Sequence, residues 1–94
     1  MVELSGFQRD LLVVIVGLDQ PSGQDVKEEL EQVYDREINH GRLYPKLDTL
    51  VQKDYVEKGT LDPLTNSYEI TEQGQDAMDE WIEWSQNEMP QLSQ

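Results

Sequence analysis

The sequence predicts a mainly α domain with one β-hairpin, in the order helix, helix, helix, strand, strand, helix. Three observations carry that expectation. Apolar residues recur at helical spacing in four separate segments. Two short segments between the third and fourth of these alternate instead, with a turn-rich stretch between them. The whole occupies 94 residues, the size of one domain and too small for a second core or a large enclosed active site. Residues 1–94 are therefore expected to form a single domain.

The first helix is expected over residues 5–19, with Ser5 as its cap. Leu4, Phe7, Leu11, Val14, Ile15 and Leu18 fall on one face, and Leu12, Val13 and Val16 widen the stripe. So broad a stripe implies cover on more than one side. The β-branched run Val13–Val16 argues for a strand, but the longer helical pattern and the Asp19-Gln20-Pro21 stop favour a helix. The second helix spans 22–34, where Ser22 and Asp25 make a capping box with the shorter acid. Val26, Leu30, Val33 and Tyr34 share its apolar face. The third helix spans 40–53 and points Leu43, Leu47, Leu50 and Val51 inward. Pro45 falls in or just after its first turn, where a missing N–H costs little.

Tyr55–Lys58 and Ser67–Ile70 are rich in aromatic and β-branched residues and read as two strands of a hairpin over 55–70. Gly59–Asn66 reads as a long loop at its tip. Thr71 opens a last helix over 71–88, with Glu72 in its first turn and Ala77, Met78, Trp81, Ile82, Trp84 and Met89 along its apolar stripe. Pro90 is expected to end it and the tail 91–94 to fray.

Twenty Asp and Glu against seven Lys and Arg give a formal charge of −13. Apolar residues make up 36%, below the ~45–50% of ordinary soluble domains. Two readings compete: disorder, or a folded protein built for molar salt, where carboxylates stay hydrated and repulsion is screened over about 3 Å. The consistent patterning favours the folded, salt-adapted reading. No cysteine is present, which excludes disulfides and thiolate metal sites and fits a reducing interior. No basic start with an apolar run precedes the first helix, so the expected location is cytoplasmic. The longest apolar run, Leu11–Leu18, is eight residues; a membrane span needs about 20. With one histidine, no glycine-rich phosphate loop and no metal-ligand cluster, neither an enzyme nor a cofactor is expected. The many carboxylates read as a solvated face.

Charge is unevenly placed. Residues 36–58 hold Arg36, Arg42, Lys46, Lys53 and Lys58 against Glu37, Asp48, Asp54 and Glu57, a net of 5 − 4 = +1, which leaves −14 for the remainder. That window is the surface suited to a polyanion. A helix-turn-helix followed by a hairpin is the winged-helix arrangement, in which the third helix enters the major groove and the hairpin lies along the backbone. The expected DNA-binding residues are Asn39, His40, Arg42, Tyr44, Lys46, Thr49, Lys58 and Asn66. His40, Arg42, Tyr44, Lys46 and Thr49 are assigned to one outward face of the third helix. Arg42 is the candidate guanine reader. Tyr44, Lys46 and Lys58 suit phosphates, and Asn39 and His40 stand at the helix start, where the dipole favours an anion. Plainer roles compete: His40 as a neighbour of the cap, Tyr44 half-buried against the second helix, Lys53 on the helix dipole, and Arg36 paired with a nearby acid.

Gly41-Arg42-Leu43-Tyr44-Pro45-Lys46-Leu47-Asp48-Thr49-Leu50, continuing to Tyr55-Val56-Glu57-Lys58, resembles the recognition helix and first wing strand of PadR-like transcriptional regulators. Asn66-Ser67-Tyr68-Glu69-Ile70-Thr71-Glu72-Gln73-Gly74 resembles their second wing strand and the Thr-Glu-x-Gly start of their last helix. The resemblance runs from about Ser5 to Trp84 and is to the short members of the family. Asp54 stands where the family has glycine, and the wing lacks the usual basic cluster. The resemblance implies a sequence-specific regulator of double-stranded DNA, read as a repressor, acting as a homodimer. Its dimer contacts would come from Leu11, Ile15, Met78, Trp81, Ile82 and Trp84. The interface would leave room for a small-molecule effector that no residue pattern names. The acidic, lysine-poor version looks like proteins of haloarchaea or their viruses. The alternative is a winged helix that pairs with a protein and does not read DNA.

Overall fold

The computed structural model describes residues 4–89; Pro90 and the tail 91–94, expected to end and fray the last helix, lie outside them. Three helices come first: α1 (Gly6–Leu18), α2 (Gly23–Tyr34) and α3 (His40–Gln52). An antiparallel hairpin follows, β1 (Val56–Asp62) with β2 (Thr65–Ile70), and α4 (Glu72–Glu88) ends the described chain. This is the winged-helix fold.

Each helix starts on a side chain that accepts a hydrogen bond from the third backbone N–H beyond it. Ser5 accepts from Gln8, Ser22 from Asp25, Asn39 from Arg42 and Thr71 from Gly74. At Ser5 and Ser22 the third residue's side chain reaches back to the cap N–H, so both capping boxes close. The C-termini are handled differently. Asp19, Asp35 and Asp54 take φ of 53°, 55° and 62°, the left-handed conformation that glycine adopts most easily. No helix carries a basic residue in its last turn.

The core gathers Leu11, Leu12, Ile15, Val26, Leu30, Leu43, Leu47 and Leu50 from the three helices with Val56 and Tyr68 from the hairpin. Ile38, in the α2–α3 connection, joins them, and its N–H donates to the Glu31 carboxylate at 2.9 Å. That carboxylate also pairs with Lys27 at 3.0 Å. The backbone donor first, and Lys27 next, hold the Glu31 carboxyl below the usual carboxylate range. The α2–α3 turn is thereby tied to α2.

Two expectations change. The stretch Gly59–Asn66 is not a long loop: pairing continues through Thr60↔Asn66 to Asp62↔Thr65, with a register shift between Thr60 and Asp62. Glycine, aspartate, proline and asparagine are poor strand signals alone, but the ladder anchored by Val56↔Ile70 and Lys58↔Tyr68 carries the stretch along. Leu11, Ile15 and Met78 do not form a free surface for a partner. They are 0%, 2% and 6% exposed, because all three pack into the core of the domain, Leu11 and Ile15 from α1 and Met78 from α4. The exposed apolar residues nearby are Val13 and Val16 on α1 and Ile82, Trp84 and Met89 at the end of α4. Trp81 is half-buried, with the Arg9 guanidinium 5.1 Å from its ring centre. No helix among the described residues is long and apolar enough to cross a membrane.

Candidate nucleic-acid interface

The third helix is held by Leu43, Leu47 and Leu50 against the core. Its other faces are therefore set by the 100° step between residues. Residues two apart point in nearly opposite directions, and Arg42 and Tyr44 obey that rule. The Arg42 guanidinium lies 5.2 Å from the centre of the Phe7 ring on α1. Tyr44 turns the other way, against Gly23 at the start of α2 and stacked on His40 at 5.5 Å and 6°. The single outward face expected for His40, Arg42, Tyr44, Lys46 and Thr49 is thus two flanks. Between them stand Gly41, Pro45 and the exposed acid Asp48.

The Tyr44 flank opens on a cleft. It is lined by Ser22, Gly23 and Gln24 at the N-terminus of α2, by Tyr44, and by Leu64, Thr65, Asn66 and Tyr68 of the hairpin. The Ser22 and Ser67 backbones bridge the two elements, and the Tyr68 N–H donates to the Pro21 carbonyl at 2.9 Å. Burial, then the charge of Asp48, raises the Tyr68 hydroxyl pKa. The Arg42 flank carries a second recess, lined by Phe7, Tyr34, Arg36, Asn39 and Arg42. Arg36 stacks on Tyr34 at 5.6 Å, and the Tyr34 hydroxyl donates to Asp10. Burial, reinforced by Asp10, pushes the Tyr34 pKa up to about 12.

The remaining expected residues divide. Asn39 caps α3, its side-chain oxygen accepting from Arg42 N–H at 2.9 Å. The Thr49 hydroxyl donates to the Pro45 carbonyl at 2.9 Å, a bond within the helix. Lys46 and Lys58 are exposed and free of ion pairs among the described residues. Asn66 faces the cleft. The expected DNA-binding set does not include Ser22–Gln24, Leu64 or Arg36. The small pair Ser22-Gly23, opposite an aromatic residue on the next helix, was the available signal for the first group.

The chain matches the model of the transcriptional regulator PadR-like family over residues 11–80. It belongs to the PadR-like family. Members are transcriptional regulators, so this chain is a DNA-binding regulator and not an enzyme. RosR of H. salinarum, in crystals grown from NaBr, superposes with a TM-score of 0.87 at 42% identity, covering 98% of this chain and 81% of that one. A winged-helix DNA-binding protein from STIV superposes at 0.69 with 20% identity, over 88% of this chain and 89% of its own. The PcaV transcriptional regulator of Streptomyces coelicolor, with its natural ligand, superposes at 0.71 with 14% identity, over 97% and 64%. The last two likenesses are of fold. No curated protein sequence matches the chain.

The PadR-like Thr-Glu-x-Gly motif has a physical account in this structure. The Thr71 hydroxyl donates to the Asp54 carbonyl at 2.5 Å and accepts from Gly74 N–H at 3.0 Å. Thr71 N–H donates to the Tyr55 carbonyl, and the Gln73 amide to the Lys53 carbonyl. One turn of α4 therefore clamps the junction of α3 and β1, which fixes the hairpin relative to α3.

Proposed function

We propose that the chain is a homodimeric, sequence-specific repressor that reads double-stranded DNA in the cytoplasm at high salt. The observation that carries this reading is the meeting of α3, the wing and the α2 N-terminus around one open cleft, with α3 lying in the window 36–58, whose net charge is +1 in a chain of −13. A DNA strand seated in the cleft would meet the free N–H groups of α2, the Tyr44 hydroxyl and the Asn66 amide. On one side of it α3 enters the major groove; on the other the wing reaches the minor groove. Arg42, Lys46 and Arg36 supply cations on the far flank, and Lys58 on the wing. Arg42 is the assigned base reader, released from Phe7 on contact.

The exposed Val13 and Val16, and Ile82, Trp84 and Met89 of α4, support a second copy packing against the chain. Half-sites about 34 Å apart would follow from the two-fold symmetry. Occupancy of DNA alone excludes a competing protein, which makes repression the proposed sign. The charge of −13 and the likeness to an H. salinarum protein support salt adaptation.

The test is enrichment of random duplexes by the purified chain in molar potassium chloride, followed by sequencing. A motif with two-fold symmetry is expected. Arg42→Ala should abolish enrichment with fold and dimer intact. Folded, dimeric wild-type chain that enriches nothing would overturn the reading in favour of a protein partner.

A further inference from the structure

The wing ends in an apolar point. Leu64 is 96% exposed and Leu61 53%. Neither is a floppy loop residue. The register passes from Thr60↔Asn66 to Asp62↔Thr65, so Leu61 is the extra residue of a bulge, a device that re-aims a side chain. The turn Asp62-Pro63-Leu64-Thr65 has proline at its second position, where the ring fixes φ. The Asp62 carboxylate accepts from Leu64 N–H at 2.9 Å and closes the turn. Three local constraints thus hold two leucines and a proline outward in water. Residues 59–66 contain no lysine or arginine and one acid, so this tip has no cation to offer a phosphate. It stands beside the DNA-facing cleft, which Leu64 and Tyr44 both line.

We propose that Leu64, with Leu61 beside it, is an apolar wedge that enters the minor groove next to the half-site read by α3. The proposal rests on the DNA-binding reading above and adds how the wing takes part in it. Apolar side chains inserted at a base step partly unstack it and bend the duplex toward the major groove. Steps that unstack easily, such as TA and CA, are then preferred without any base hydrogen bond. A rigid tip loses little entropy on insertion. Burying leucine releases no counterions, so the contact keeps its strength in salt that screens a lysine. For a chain of charge −13 this replaces the basic wing that its surface cannot supply.

The experiment uses the enriched duplex with wild-type chain, Leu64→Ser and Lys46→Ala, each checked for an unchanged thermal unfolding curve. Leu64→Ser should bind about tenfold more weakly, by the same factor at low and at molar salt, and should bend end-labelled DNA less. The Lys46→Ala loss should shrink as salt rises. Inosine–cytosine in place of guanine–cytosine at the flanking step removes an amino group from the minor groove and leaves the major-groove pattern unchanged. It should alter wild-type affinity and leave Leu64→Ser indifferent. If wild type binds the duplex and Leu64→Ser matches it in affinity, bend and response to inosine, the wedge is overturned and the DNA reading stands. If wild type binds no duplex, the DNA reading fails and the wedge with it.

Discussion

Gly74 and Gly23 are both positions where a methyl group does not fit, and they differ in what it would strike. A Cβ on Gly74 would overlap the Tyr55 carbonyl oxygen and stand 2.8 Å from Cγ1 of Ile70. Backbone cannot step aside there, because Thr71 and Gln73 clamp it. Gly74→Ala is therefore expected to lose about 1–3 kcal/mol of stability, read as a lower urea midpoint; an unchanged midpoint would contradict the clamp. A Cβ on Gly23 would come within 2.6 Å of Cε1 and the hydroxyl of Tyr44. A ring at the edge of an open cleft can swing outward. Gly23→Ala should thus cost less than about 1 kcal/mol of stability while weakening DNA binding, and in a Tyr44→Ala background it should do neither. Binding equal to wild type in the first variant would remove Tyr44 from the interface. The split between Arg42 and Tyr44 was legible in the sequence, since side chains two apart on a helix do not share a face. What the sequence did not hold was which neighbour each flank meets: Phe7 on one side, Gly23 on the other.

Elements were legible where their ends carry local chemistry. Ser5, Ser22 and Thr71 mark three helix starts, because a hydroxyl that satisfies the third N–H acts within one turn and needs no tertiary partner. The hairpin tip is not legible in the same way, because its pairing is decided by residues far from the turn. The apolar face of α1 was seen, but its partner was not: periodicity shows that Leu11 and Ile15 are covered, and only the fold shows that α2, α3 and the hairpin cover them. Asp54 illustrates a position where sequence and structure pull apart. It holds a left-handed turn at φ 62°, a conformation that glycine adopts most easily. A side chain there costs up to about 1 kcal/mol. A carboxylate just beyond the C-terminus of α3 adds a further ~0.3–1 kcal/mol at low ionic strength. Asp54→Gly should remove both penalties and Asp54→Asn the second alone. Thermal unfolding at low and molar salt checks this: the Asn gain should fade with salt and the Gly gain persist in part. A less stable Asp54→Gly would mean that the aspartate side chain holds the turn.

At the scale of the whole molecule, the −13 charge opposes the function that the cleft supports. An ordinary DNA-binding protein loses affinity steadily with salt, at a log–log slope of about −0.9 per phosphate neutralised. Here two chains would bring twice −13 toward a polyanion. At low salt, long-range repulsion acts over a Debye length of about 30 Å at 0.01 M, well beyond the 13.8 Å radius of gyration of the domain. At 1 M that length is about 3 Å, and only charges at the interface remain felt. Affinity should therefore rise with potassium chloride, pass through a maximum and fall once Arg42, Lys46 and Lys58 are screened as well. Fluorescence anisotropy of a labelled operator, corrected at each salt for the folded fraction seen by circular dichroism, follows that curve. Neutralising exposed acids on α4, by Asp76→Asn, Asp79→Asn and Glu83→Gln together, should move the maximum to lower salt without touching the cleft. A monotonic fall of affinity from low to molar salt, in fully folded protein, would show that the acidic faces do not govern DNA binding. A maximum that stays in place in the neutralised variant would assign it instead to carboxylates at the interface, of which Asp48, between the two flanks of α3, is the nearest.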